Sequence, residues 1–75
     1  MTARFRITAY PVQHREEGLV YELFEAQTDA EKYYEELTAE DSPIRDCGWK
    51  AVTVTYEEFV YGDWVLANRQ TLIIG

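Results

Sequence analysis

Cys47 and His14 are the only thiol and the only imidazole in 75 residues, so they are the one pair that could supply a nucleophile with a nitrogen base. The segments around them, "RDCGWK" and "VQHREE", carry no signature of a thiol enzyme. A single cysteine in such a chain reads as a small buried hydrophobe, with Gly48 marking a turn into the next strand. His14, Glu16 and Glu17 bring nitrogen and oxygen ligands into one loop, but a structural zinc site takes four ligands, and this composition does not supply them. No metal and no cofactor is expected, and the loop reads as a solvated polar turn. Glu57 and Glu58 are adjacent, so an extended backbone sends them to opposite faces and denies them a shared acid/base role. A small enzyme built on Cys47 and His14 is the weakest reading, and the chain is read as non-enzymatic.

What remains is charge. Fourteen acids against seven bases give a net charge of -7, which repels phosphate backbones and anionic membranes. Neither direct nucleic-acid binding nor a membrane is expected. The charge is unevenly spread: residues 1–15 sum to +3, residues 16–46 to -9 and residues 47–75 to -1. The stretch "TDAEKYYEELTAED", residues 28–41, holds six acids and one lysine.

That stretch is also where helix signals are strongest. Thr28 and Glu31 have the spacing of a capping box, and Ala30, Tyr33, Tyr34 and Leu37 form one helical stripe. The spacing predicts a helix of about 18 Å that stops near Asp41, since Pro43 disfavours a helical Ser42. Stepping the residues by 100° puts Asp29, Glu36 and Glu40 along one flank and Glu31 and Glu35 nearly opposite the core. Asp29 and Glu31 complement the helix dipole at its start. Glu35, Glu36, Glu40 and Asp41 lie in the later half, where negative charge opposes it.

The flanking segments read as strands. "ARFRITAYPV" alternates Phe5, Ile7 and Ala9 against Arg4, Arg6, Thr8 and Tyr10, and Pro11 is expected to end the pairing or to mark an edge strand. "LVYELFEA" resumes after the loop, so residues 4–26 predict a hairpin, with its second strand's inward face left ambiguous. Arg4 and Arg6 are expected to pair across strands with Glu22 or Glu25. The alternative is a small basic patch with Arg15 or Lys50 beside Tyr10 or Tyr61. Residues 47–75 predict a second hairpin with Gly62 and Asp63 as its turn, or a later turn at "ANRQ". The chain is therefore predicted to be a single α+β domain over residues 1–75: hairpin, helix, hairpin, with the helix packed on a mostly antiparallel sheet of about four strands. The lone cysteine and the lack of a long apolar run place it, as an expectation, in the cytoplasm.

These features point first to an acidic module that docks on a basic protein surface, such as that of a nucleic-acid-binding enzyme. Asp29, Glu31, Glu35, Glu36, Glu40 and Asp41 carry that reading, flanked by Tyr61 and Trp64. In size and charge alone the chain resembles the small acidic inhibitors that phages and mobile elements direct against host nucleic-acid enzymes, anti-CRISPR proteins among them. That resemblance implies an inhibitor. The alternative is a homodimeric structural module pairing through its C-terminal strand, because "TLIIG" is short, apolar and uncharged.

Overall fold

The computed structural model describes residues 3–74. The alternation of residues 5–11 is realised as strand β1, Phe5–Pro11, with Phe5, Ile7, Ala9 and Pro11 buried. Strand β2, Val20–Phe24, pairs antiparallel with it, Phe5 opposite Phe24 and Ala9 opposite Val20. Helix α1, Gln27–Thr38, follows, then a 3-10 turn at Pro43–Asp46. Strands β3, Ala51–Val60, and β4, Asp63–Ile73, complete the chain.

The sheet order is β2-β1-β3-β4. The segment holding α1 therefore leaves one edge at β2 and returns to the far side of β1, carrying the helix across one face of the sheet. Ala30, Tyr34 and Leu37 of α1 bury against Ile7, Val52 and Val54, three side chains with no exposed surface at all. Because α1 packs over β1 and β2, β4 is left without a helix above it. Among the described residues, the other face carries no second layer. In register it presents Arg6, Thr8, Tyr21 and Leu23 on one half and Thr55, Glu57, Trp64 and Leu66 on the other.

Five expectations need correction. The helix begins at Gln27, two residues early, so Thr28 lies inside it. Ala26 is the N-cap and makes no side-chain capping bond, while Glu31 accepts instead from the Gln27 side chain at 2.9 Å. The helix ends at Thr38 and not near Asp41. The Thr38 hydroxyl turns back to the carbonyls of Tyr34 and Glu35, and Ala39 is extended, held by Arg45 Nε donating to its carbonyl at 3.0 Å. Glu40 and Asp41 thus lie beyond the helix.

The hairpin turn is Tyr61 and Gly62, with Asp63 already in β4 opposite Val60. Both turn residues have positive φ, 50° and 85°, the backbone that matches the twist of a two-residue hairpin. "ANRQ" is no turn: the register slips between Tyr56 and Glu57, and this bulge absorbs one residue of β4 near Ala67. Finally, Arg6 does not pair with Glu22 or Glu25. Its guanidinium makes a two-pronged bond to Glu57 on β3, at 2.9 Å for each prong. In register Arg6 faces Leu23 and Glu57 across its two neighbours, whereas Glu22 sits opposite Ile7 and so on the helix side of the sheet.

Candidate functional site

Since α1 covers only half of the sheet, a groove of about 450 Å³ opens between it and the exposed edge at β4. Period-two geometry supplies its floor. Val52, Val54, Tyr56 and Glu58 share the helix side of β3, and Asn68 and Gln70 stand opposite Tyr56 and Val54 on β4. The α1 wall contributes Gln27, Glu31, Tyr34, Glu35 and Thr38, one row of the helix at three- and four-residue spacing.

Three carboxylates, Glu31, Glu35 and Glu58, thereby line one concavity. None of them has a cationic partner among the described residues, where the ion pairs are Arg6 with Glu57 and His14 with Glu16. Below them lie the rings of Tyr34 and Tyr56, edge to face at 5.6 Å. Both residues are more than nine-tenths buried, and neither hydroxyl has a hydrogen-bond partner. Burial raises the pKa of Tyr34. Burial raises that of Tyr56 as well, with the negative charges of Glu31 and Glu58 adding to it.

A polar group buried without a partner is costly, so the two hydroxyls are a stability cost beneath the groove. The three carboxylates only accept, while Gln27, Thr38, Asn68 and Gln70 both donate and accept, so it is the charge of the lining that suits a cation. It suits an extended organic cation better than a metal ion, because no three His, Cys, Asp or Glu side chains among the described residues are close enough together to hold a metal. A guanidinium, with five N–H donors in a planar fork, matches several carboxylates spread around a cleft.

The acids singled out from sequence are thus divided. Glu31 and Glu35, expected nearly opposite the core, turn toward β3 and β4 and line the groove. Glu36 lies on the other flank, beside Tyr33, Leu37, Pro43 and Ile44. Asp29 is exposed in the first turn, and Glu40 and Asp41 follow the helix. Tyr61 stands fully exposed at the hairpin tip. Trp64 is on the opposite face of the sheet, with the Arg6 guanidinium 4.5 Å from its ring centre and Phe59 packed edge-on at 5.2 Å. Neither aromatic belongs to the groove.

Glu58, Asn68, Gln70 and the hydroxyls of Tyr34 and Tyr56 were not foreseen. The parity of Val52, Val54 and Tyr56 carried a signal for Glu58, since an inward apolar run continues to it two residues on. The β4 residues carried none, because a bulge set their register. His14 stacks on Trp49 at 4.9 Å, while Cys47 packs at the edge of the core. No helix among the described residues is long and apolar enough to cross a membrane. No family model matches the chain, and no curated protein or solved structure is significantly similar to it.

Proposed function

We propose that the protein is a non-enzymatic binding module whose groove between α1 and β4 accepts an arginine-bearing basic segment of a partner protein. One observation carries this reading: Glu31, Glu35 and Glu58 line one groove, with no cationic partner among the described residues. The net charge of -7 steers a basic surface toward the groove and speeds encounter. Basic segments of this kind are what nucleic-acid-binding proteins present to phosphate. Occupying one would inhibit such a protein, in the cytoplasm where a lone thiol stays reduced.

The test is titration of a nona-arginine peptide into the protein and two charge-matched variants. Glu31→Gln/Glu35→Gln removes two groove charges, while Glu16→Gln/Glu17→Gln removes two from the exposed β1–β2 loop. A charge-assisted hydrogen bond contributes about 1.5–3 kcal/mol, so the groove variant is expected to bind about tenfold to a hundredfold more weakly. The loop variant should stay within about twofold of the natural protein. Equal weakening by the two variants would show that only net charge matters, and would overturn the reading.

A further inference from the structure

The two edges of the sheet are unlike. Strand β2 is five residues long, with Glu22 inside it and Glu25 just beyond, the short and charged form that discourages further pairing. Strand β4 is eleven residues long, and its outer backbone groups meet no other strand among the described residues. Its first half is guarded by the bulge near Ala67. Beyond it, the register from Asn68 to Ile73 runs without interruption, and from Gln70 to Ile74 there is no charged residue. Ile73 on this edge is 71% exposed.

We infer that β4 pairs antiparallel with β4 of a second copy, joining two sheets into one and fusing the two grooves into a single acid-walled trough. Opposed residues of an antiparallel pair share a face, so a two-fold axis must pass beside a residue that meets itself. Centring on Thr71 sets it against its own copy, Gln70 against Leu72, and Arg69 against Ile73. The Arg69 stem then lies along the exposed Ile73, and no like charges are opposed.

The axis of such a pair stands perpendicular to the sheet, and this decides the geometry of what forms. Both α1 helices come to the same side, facing each other across the joined β4 strands. With strands about 4.8 Å apart and α1 over β1 and β2, each helix axis lies about 14 Å from the dyad. The helices stand about 29 Å apart, and a helix with side chains is about 10–12 Å wide, which leaves a trough about 18 Å across. Glu31, Glu35 and Glu58 of both copies line it, and Asn68 and Gln70 floor it. One basic helix fits such a trough. The strand pairing stands independently of the function proposed above, whereas the trough's ligand rests on it.

Sedimentation equilibrium of the natural protein, from micromolar to millimolar concentration, measures the pairing, and nona-arginine titration measures the trough. A mass of twice 8.8 kDa is expected. Ile73→Lys, at an exposed position, opposes Lys to Arg69 at both ends of the pair and should raise the dissociation constant at least about tenfold, with circular dichroism unchanged. One peptide should bind per two chains. A monomer at every concentration overturns the pairing, whatever the peptide does. So does a dimer that resists Ile73→Lys but is split by Leu23→Lys, which would place the interface on the open face of the sheet. A dimer binding one peptide per chain overturns the shared trough. A dimer binding no peptide overturns the groove reading and leaves the strand pairing in place.

Discussion

Replacing Tyr56 by Phe should stabilise the free protein, although it removes a polar group from its centre. Tyr56 is only 8% exposed, and its hydroxyl makes no hydrogen bond. An unsatisfied buried donor costs about 1–3 kcal/mol. The ring contacts to Phe5 at 6.0 Å and Tyr34 at 5.6 Å are available to phenylalanine as well. A gain of about 1 kcal/mol is expected, equivalent to about 4–8 °C in Tm for a domain of this size. Urea unfolding at pH 7 reads it as a higher midpoint with an unchanged slope. The pH dependence supplies a second, signed readout. Folding raises the phenol pKa of Tyr33, Tyr34 and Tyr56 above the ordinary 10.0. Above pH 10 the folded chain therefore holds more protons than the unfolded chain, so stability is fully present below that value and falls as pH rises toward the raised values. Tyr56→Phe should make that alkaline decline shallower. A variant less stable than the natural protein by about 1 kcal/mol or more at pH 7 would show that the hydroxyl is bonded, and an undiminished alkaline slope would show that folding leaves the Tyr56 phenol unperturbed; either result refutes the reasoning.

Two further outcomes follow from the other face of the sheet and from its hairpin tip. The Arg6–Glu57 pair is about one-fifth exposed at both side chains, between the 0–1 kcal/mol of exposed pairs and the roughly 3–5 kcal/mol lost when a buried one is broken. Arg6→Met should cost about 1–2 kcal/mol, and a double-mutant cycle with Glu57→Gln should assign most of that loss to the pair. Additive losses would place it in the Trp64 contact instead. Tyr61 is held at φ 50° with its side chain wholly in solvent. Tyr61→Asn should therefore raise stability by about 0.5–1 kcal/mol in the same urea assay, since asparagine tolerates that backbone better. A loss would mean that the ring packs on the hairpin in solution.

Period alone was enough to find the elements. Alternation along Phe5, Ile7 and Ala9 named the buried face of β1, the Ala30–Leu37 stripe named the buried face of α1, and together they led to an α+β hairpin–helix–hairpin. These signals are short in range, since each element's inward face is written in its own residues. The ends of α1 were less legible, because a side chain can bond its neighbours' backbone in several ways. Thr28 and Glu31 had the capping spacing, yet Gln27 captured Glu31.

The site depended on which strands become neighbours. That Arg6 meets Glu57, fifty-one residues away, follows from β1 lying between β2 and β3. Nothing local to "FRI" encodes it. Glu31 and Glu35 are acidic in any fold, but they become the wall of a groove only because α1 sits toward β2 and leaves β4 uncovered. Glu58 joins them through the parity of β3. Asn68 and Gln70 face the same way because the bulge shifts β4 by one residue, and a one-residue slip in a strand exchanges its faces. Composition and period settle what each residue is and which way its own segment turns. Strand order and register arise from the packing of the whole chain, and they decide which distant residues share a cleft.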